Sequence, residues 1–200
     1  MTTLKEIYFE QSIGKSGHPG NTDKETHHSY ISGFYEEAFK AYKNKADLQM
    51  LEIGIAHGGS INLWLQYFDD VYITGVDLFL NEGIVKDANR FMYHERVNLV
   101  KKSGTDKEYI DTLEDDFYDI IIDDGSHKIG DQVLSLKYMY SKVKKGGLYV
   151  IEDIESIEHT KQLEFQEGWV KLDLNKDRVE QNKKRNRYDN IIMYWKKLKI

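Results

Sequence analysis

An α/β fold with a mostly parallel β-sheet is predicted by three features of the 200-residue sequence. Short runs rich in β-branched and aromatic residues recur along the chain, and each gap between the first five can hold a helix. Such alternation is typical of a parallel sheet. The last two runs follow with only a short helix ahead of them, so we expect these two to pair antiparallel. The predicted strands are Gln49–Gly54, Val71–Asp77, Val97–Lys102, Tyr118–Asp123, Gly147–Glu152, Trp169–Leu174 and Asn190–Lys196.

The amino-terminal region is predicted to differ from the alternating core. A polar, glycine-containing segment runs from about Ser12 to His28, and apolar residues at helical spacing then predict a helix. These apolar residues are Phe34, Ala38, Phe39 and Tyr42. We expect a single domain, because the chain is too short for a second full one. In it, residues 1–45 form a cap segment and helix, and residues 46–200 form the core.

A crossover helix is predicted between the fourth and fifth strands. Its buried stripe is formed by apolar residues at helical spacing, namely Ile129, Val133, Leu136, Tyr140 and Val143. The run Lys144–Gly147 is expected to end this helix, with cations in the last turn and glycine beyond it. Aromatic residues elsewhere are interpreted as packing residues, namely Trp64, Tyr67, Phe68, Trp169 and Trp195.

Composition excludes several classes of site. The sequence has no cysteine, which leaves oxygen and imidazole as the strong metal ligands and favours a hard metal ion. The net charge of −6 argues against broad contact with a nucleic-acid backbone. The apolar runs are too short to cross a membrane and nothing predicts export, so we expect a cytoplasmic protein without membrane contact. One basic run, Lys183–Arg187, is interpreted as a solvated loop, although binding of an anionic substrate group stays open.

The segment Leu51–Ser60 leads from a strand into a helix through Gly54, Gly58 and Gly59. Glycine lets the backbone approach a ligand closely at such a turn. The dinucleotide fingerprint is Gly-x-Gly-x-x-Gly, whereas here three residues separate Gly54 from Gly58 and Glu52 precedes them. This spacing favours S-adenosylmethionine (SAM), whose amino-acid end and sulfonium suit a turn of carbonyls beside an acidic residue. A tight turn without any ligand is the alternative for the loop alone.

Other candidate cofactor residues follow the strand ends. Asp77 closes the second strand, where it would accept hydrogen bonds from both ribose hydroxyls. The segment after the third strand is expected to flank the adenine, with Asp106 or a backbone N–H contacting the edge of the base that carries the exocyclic amine. His28 and Tyr30 would close over SAM or the acceptor, a surface loop being the alternative. The full candidate set is Glu52, Gly54, Ala56, Gly58, Ser60, Asp77, Ser103, Gly104, Thr105, Asp106, Asp123, His28 and Tyr30.

Acidic residues follow the fourth and fifth strands. Asp124 ends one strand, Glu152 and Asp153 end the other, and His127 lies three residues beyond Asp124. Adjacent parallel strands finish at the same edge of a sheet, so these side chains should converge. Neighbouring carboxylates repel one another unless a cation is present, and oxygen ligands suit Mg²⁺ or Mn²⁺.

A metal with open positions would bind substrate hydroxyls and lower the pKa of one, while His127 removes its proton. We therefore assign catalytic roles to His127 and Asp124, and metal ligation to Asp124, Glu152 and Asp153. The alternative is that Asp123 or Asp124 caps the following helix and that His127 is an incidental loop residue.

The motif Asp124-Gly-Ser-His127, the pair Glu152-Asp153 and the intervening segment Gly146–Ile151 resemble the metal-dependent macrolide sugar O-methyltransferases. The likeness extends over Leu51–Trp64 and, more loosely, over Thr22–Tyr30. It implies a Rossmann-like class I methyltransferase fold, with a mostly parallel seven-stranded sheet ending in an antiparallel hairpin and helices on both faces. The resemblance also implies that the motif's aspartate and the Glu-Asp pair bind magnesium and that the motif's histidine is the base.

The predicted function is thus a SAM-dependent O-methyltransferase that requires Mg²⁺ or Mn²⁺. The sequence lacks the extra amino-terminal domain found in some members of that family, so we expect a modest acceptor such as a sugar, a nucleotide-linked sugar or a glycan end. A catechol or other vicinal diol would satisfy the same metal. Alternatives outside this class are a SAM- or nucleotide-binding regulator without turnover and an NAD-dependent oxidoreductase. A homo-oligomer is compatible with the sequence.

Overall fold

The computed structural model describes residues 2–14, 17–78, 94–164, 167–174 and 190–198. Its centre is a seven-stranded sheet with the strand order β3-β2-β1-β4-β5-β7-β6. The first five strands pair in parallel, and β7 pairs antiparallel with both β5 and β6. The strands are β1 (Leu48–Ile53), β2 (Val71–Asp77), β3 (Val97–Lys101), β4 (Tyr118–Asp123), β5 (Val143–Ile151), β6 (Trp169–Asp173) and β7 (Ile191–Lys196). The predicted sheet and its antiparallel end are confirmed.

The helices are short and are arranged around this sheet. They are α1 (Leu4–Glu10), α2 (Glu36–Ala38), α3 (Gly59–Tyr67), α4 (Lys107–Ile110), α5 (Ile129–Met139) and α6 (Ile157–Leu163). Among the described residues, none of the helices combines the length and the apolar character needed to span a membrane. The predicted basic loop Lys183–Arg187 lies outside the described residues.

The crossover helix α5 is shorter than the sequence pattern suggested. It ends at Met139 and a 3-10 turn follows at Tyr140–Lys142, so Val143 is the first residue of β5 and not part of the helical stripe. The prediction that Lys144–Gly147 ends the helix is therefore wrong, because Val143 pairs with Tyr118 in the sheet. The β4–β5 register shifts between Tyr118 and Ile120, and the left-handed φ of 82° at Gly146 accommodates the irregular strand.

The amino-terminal helix has an irregular form. A π-helical turn at Ile31–Tyr35 leads into α2, and a 3-10 turn at Lys40–Tyr42 follows. The predicted residues Phe34, Phe39 and Tyr42 are buried on this segment. The helix α1 was not predicted, although Thr3 and Glu6 form a capping box at its start, which is a recognisable sequence signal.

Two hydrophobic clusters cover the two faces of the sheet. Successive residues of β1 alternate between them, with Met50 in one cluster and Leu51 in the other. The first contains Trp64, which is fully buried together with nearby Tyr67 and Phe68, so the packing role predicted for these aromatics is confirmed. The second covers the face of α5 and α6. Both layers fix the carboxyl ends of β1, β2, β4 and β5 at one edge.

Candidate functional site

A cavity of about 480 Å³ lies at this carboxyl edge of the sheet. Open α/β sheets bind ligands at such an edge, where the strand order reverses on either side of β1 and β4. The amino-terminal segment reaches the same cavity through residues 21–23. The structure places most of the predicted site residues in its lining, namely Gly54, Ala56, Ser60, Asp77, Ser103, Gly104, Thr105, Asp123, Asp124, His127 and Asp153.

The glycine loop is shaped by close backbone approaches. Gly54 has a left-handed φ of 85°, and a Cβ atom there would lie 1.9 Å from the carbonyl oxygen of Asp124. Only glycine fits such a contact. Gly58 has a φ of 75° and precedes α3, and its N–H donates to the carbonyl of Ile55 at 2.7 Å. Gly58 therefore shapes the turn and is not part of the cavity lining.

Asp77 connects the end of β2 to the glycine loop. Its Oδ2 accepts hydrogen bonds from the backbone N–H groups of Ile55 at 2.7 Å and Ala56 at 3.2 Å. Ala56 itself has a left-handed φ of 44°. The carboxylate thus holds the loop in an unusual conformation while lying in the cavity wall.

The segment after β3 is only partly in the predicted place. Ser103, Gly104 and Thr105 line the cavity, but Asp106 is the N-cap of α4 and accepts from the Tyr109 N–H at 3.0 Å. Its carboxylate also accepts from Lys102 Nζ at 3.0 Å, and its own N–H donates to the carbonyl of Ser103. The carboxylate and the N–H of Asp106 are therefore both engaged within the chain, and a backbone N–H of Ser103, Gly104 or Thr105 stays the predicted adenine contact.

Two further predicted carboxylates, Asp123 and Glu52, are buried at this edge of the sheet. Asp123 lines the cavity and accepts hydrogen bonds from the Ser135 hydroxyl and the Gly125 N–H, while burial raises its pKa to about 6. Glu52 is fully buried, accepts from Trp64 Nε1 at 3.0 Å and does not reach the cavity lining. Burial raises the pKa of Glu52 to about 7, against the charge of Lys24. The structure therefore does not bring Glu52 into contact with a cavity ligand.

The predicted acidic cluster is assembled around His127. The Nε2 atom of His127 lies 3.3 Å from Asp124 Oδ1 and 3.3 Å from Asp153 Oδ2. Left-handed backbone at His127 (φ 61°) and Asp153 (φ 53°) aims both residues, and such conformations cluster at functional sites. Burial lowers the pKa of His127, but its hydrogen bond with Asp124 and the charge of Asp153 outweigh burial and raise the pKa to about 9.

Glu152 faces away from His127, towards a lysine that the sequence analysis missed. Lys24 Nζ lies 2.7 Å from Asp124 Oδ2 and 2.7 and 2.8 Å from the two oxygens of Glu152. Burial lowers the pKa of Lys24, but the charges of Asp124 and Glu152 raise it well above its usual value. Lys24 lies within Thr22–Tyr30, the segment matched to the family only loosely, and that match was its one signal in the sequence.

His28 and Tyr30 contact the acidic cluster and do not line the cavity. The Tyr30 hydroxyl donates to Asp153 Oδ1, and the neighbouring Tyr35 hydroxyl donates to Glu152. The ring of His28 stacks on Tyr30 and lies 3.6 Å from Asp153 Oδ1. Rather than closing over a ligand, these side chains orient the carboxylates of the Glu152-Asp153 pair from behind.

The donor set fits a hard divalent ion. Asp124 and Asp153 each offer a carboxylate oxygen, and these oxygens and the imidazole nitrogen of His127, which is left for proton transfer, all lie within 4.8 Å of one another. Carboxylate oxygens are the preferred ligands of Mg²⁺ and Mn²⁺, and the partly exposed Asp124 and His127 leave access from the cavity. Glu152 is adjacent but is engaged by Lys24 and Tyr35.

Comparisons with known proteins agree with a methyltransferase domain in this chain. Residues 51–154, more than half of the chain, match a family model described as a methyltransferase domain. An 8-demethyl-8-(2-methoxy-alpha-L-rhamnosyl)-tetracenomycin-C 3'-O-methyltransferase of Streptomyces olivaceus is 31% identical over 62% of this chain and 32% of its own length. The mycinamicin VI 2''-O-methyltransferase of Micromonospora griseorubida is 30% identical over 62% of this chain and 31% of its own length. The match thus spans about a third of the length of these relatives.

A solved structure shows the same fold. The MycE methyltransferase from the mycinamycin biosynthetic pathway, in complex with Mg and SAH, aligns with a TM-score of 0.66 at 22% identity. The alignment covers 99% of this chain and 55% of that chain. At this level of identity the likeness supports the architecture, namely a seven-stranded sheet of the Rossmann-like methyltransferase type.

Proposed function

Because this chain belongs to the methyltransferase domain family, we propose that it is a SAM-dependent O-methyltransferase that uses a divalent metal and acts on a sugar hydroxyl. The observation that carries the proposal is the position of Asp124, His127 and Asp153. Their ligand atoms lie within 4.8 Å of one another, and all three residues line the cavity that also contains the glycine loop and Asp77. One cavity thus combines the glycine loop and Asp77, which would hold a nucleoside, with an acidic end.

The glycine loop and Asp77 would hold SAM. Gly54 allows the backbone to approach the cavity closely, and Asp77 stiffens the loop through the N–H groups of Ile55 and Ala56 while remaining in the wall. Ser103 and Gly104 extend that wall beside it. This arrangement suits the ribose near Asp77, with the amino-acid end towards the loop. The methyl group would then face the acidic end of the cavity.

Asp124 and Asp153, with Glu152 beside them, would hold Mg²⁺ or Mn²⁺. Such an ion lowers the pKa of a hydroxyl that it binds, which makes a sugar alcohol a better nucleophile. The Nε2 atom of His127 is fixed by contacts with Asp124 and Asp153, and its side chain is 38% exposed. These two carboxylates are also what raises the pKa of His127, so engaging them with a cation would leave the imidazole free to accept the hydroxyl proton.

A sugar acceptor is favoured by the relatives. The Streptomyces protein described above is named as an O-methyltransferase of a tetracenomycin that carries a rhamnosyl group, and the Micromonospora protein as an O-methyltransferase of mycinamicin VI. A sugar also offers adjacent hydroxyls, which suit an ion with open positions at a partly exposed carboxylate such as Asp124. The proposal concerns the sugar alone, and the group to which it is attached stays open.

The test is a methyl-transfer assay on free deoxysugar glycosides and nucleotide-linked sugars. The enzyme is incubated with SAM and each acceptor, in Mg²⁺, in Mn²⁺ and in chelator, and SAH and methylated products are measured by mass spectrometry. We expect turnover with at least one sugar, loss of turnover in chelator and recovery when metal is restored. A catechol is included as the competing vicinal-diol acceptor.

A control variant and three distinguishable outcomes make the result decisive. His159→Ala changes a histidine on α6, away from the cavity lining, and should methylate at the wild-type rate. Metal-independent methylation of a sugar would contradict the metal role, and methylation of the catechol alone would contradict the sugar assignment. SAM binding without turnover on any acceptor would instead favour a non-catalytic SAM-binding protein.

A further inference from the structure

The ammonium of Lys24 is enclosed among the carboxylates of the site. Its side chain is 2% exposed, and its Nζ contacts Asp124 and Glu152 at 2.7 Å and approaches Glu52 at 3.8 Å. These three carboxylates come from the ends of three neighbouring strands, β1, β4 and β5. Lys24 comes from the amino-terminal segment. It therefore joins that segment to the sheet edge where these three carboxylates meet.

Removing such a cation would leave buried charge without compensation. A buried carboxylate that loses its partner is strongly destabilising, whereas a neutral pair of similar volume is tolerated. In the part of the chain that the structure describes, Lys24 is the only lysine or arginine that forms an ion pair with Glu52, Asp124 or Glu152. The imidazole of His127 is the other cationic partner, and it contacts Asp124 on the opposite oxygen, Oδ1.

The contacts also divide the acidic cluster into two parts. Lys24 and the Tyr35 hydroxyl engage Glu152, and Lys24 takes Oδ2 of Asp124. Oδ1 of Asp124 and Oδ2 of Asp153 are left facing His127. The lysine thus fixes which oxygen of Asp124 faces His127, because a carboxylate held at one oxygen presents the other in a defined direction.

We propose that Lys24 is a positioning residue, a built-in counter-cation that holds Asp124 and Glu152 in their site arrangement whether or not a divalent ion is bound. The site is therefore assembled before metal arrives. Only the metal-binding arm of the test rests on the proposed function. The charge-compensation arm concerns the chain alone, so the two can fail separately.

The first arm compares melting temperatures in chelator for the wild type, Lys24→Met, Glu152→Gln and the double variant. We expect Lys24→Met to lower the melting temperature more than Glu152→Gln, and the double variant to recover at least half of the loss. Recovery is expected because Glu152→Gln removes the charge that Lys24 compensates. A double variant no more stable than Lys24→Met would overturn the proposal.

A matched control separates charge compensation from packing. Lys142 is also buried, with 9% of its side chain exposed, and pairs with Asp115 at 2.7 Å outside the site. Lys142→Met should lower the melting temperature without any recovery from Glu152→Gln. Equal recovery in both lysine backgrounds would mean that Glu152→Gln stabilises the protein generally, which also overturns the proposal. If Lys24→Met does not accumulate as a folded protein, soluble expression of the double variant is the supporting result and its absence the opposing one.

The second arm adds Mn²⁺. A ligand that binds only the folded state raises the melting temperature, and the rise grows with affinity. Lys24→Met leaves the carboxylates without their internal cation, so Mn²⁺ should raise its melting temperature by more than it raises that of the wild type. An equal or smaller rise would count against the counter-cation role. No rise in either protein would contradict the proposed metal site, and the comparison in chelator would then decide the role of Lys24.

Discussion

His127 and Lys24 contact opposite oxygens of the Asp124 carboxylate. The imidazole Nε2 lies 3.3 Å from Oδ1, and the ammonium lies 2.7 Å from Oδ2. The ammonium side is closed, whereas the His127 side chain is 38% exposed and lines the cavity. The Asp124 carboxylate therefore contacts two groups with different proposed roles. One oxygen belongs to the buried ion pair with Lys24, and the other faces the histidine proposed to move a proton.

The first prediction concerns His127. His127→Ala should lower kcat by roughly a hundred- to ten-thousandfold, the range for loss of a positioned general base, because no other described imidazole lines the cavity. SAM affinity should stay close to that of the wild type. The measurement is kcat at saturating metal and acceptor, with SAM binding followed by calorimetry. A loss smaller than tenfold would mean that water takes the proton from the activated hydroxyl.

The second prediction concerns Asp77. Asp77→Ala should weaken SAM binding by about ten- to a hundredfold, which corresponds to the loss of a charge-assisted hydrogen bond. It should also loosen the loop, because the N–H groups of Ile55 and Ala56 lose their acceptor. Calorimetric titration with SAM measures the affinity. The control is Asp111→Ala, which removes an exposed ion pair with Lys107 of α4. Unchanged affinity for SAM would exclude the ribose role.

Much of this fold could be predicted from the sequence because the strands are recognisable as runs of β-branched and aromatic residues. β2 and β4 match their predicted bounds, and the ends of β4 and β5 deliver Asp124 and Asp153 to one place, as parallel pairing requires. The start of β5 was misplaced because Val143 fits the helical stripe and the strand equally well. Only the pairing of Val143 with Tyr118, a contact between distant segments, decides between them.

The role of Lys24 could not be predicted for a related reason. A single lysine in a polar segment looks like a surface residue, and its burial depends on carboxylates that lie about a hundred residues or more away in sequence. Tyr30 and His28, from the same segment, were predicted to close over SAM or the acceptor. They contact Asp153, and the cavity wall is formed instead by residues 21–23.

The third prediction concerns Tyr30, whose hydroxyl donates to Asp153 Oδ1. Tyr30→Phe should weaken Mn²⁺ binding by about tenfold, the lower end of the usual cost of losing a hydrogen bond to a metal ligand. Titration followed by electron paramagnetic resonance measures the free ion. Tyr42→Phe is the matched control, because its hydroxyl donates to the Gly146 carbonyl away from the site. Equal Mn²⁺ affinity in Tyr30→Phe and the wild type would show that Asp153 needs no such support.

The last prediction is a pH dependence of stability caused by His28. Burial lowers the pKa of this imidazole, but its hydrogen bond with Asp23 and the charge of Asp153 raise the pKa from 6.5 to about 9. A group whose pKa is raised on folding contributes stability that is fully present below its unfolded pKa and is lost as pH rises through the folded value. For His28 the loss should therefore occur between about pH 6.5 and pH 9 and be on the order of 3 kcal/mol.

The measurement is the free energy of unfolding in urea, in chelator, at several pH values from 6 to 9.5. The wild type should lose stability across this range, and His28→Asn should lose less because the titrating ring is gone. The raised pKa values of His127, Glu52 and Glu152 also cost stability as pH rises through this range, so some slope should persist in the variant. Asp23 does not interfere, because its pKa is lowered and its contribution is lost only in acid. Parallel curves for His28→Asn and the wild type would show that His28 is neutral in the folded protein, and the contact with Asp153 would then be an uncharged one.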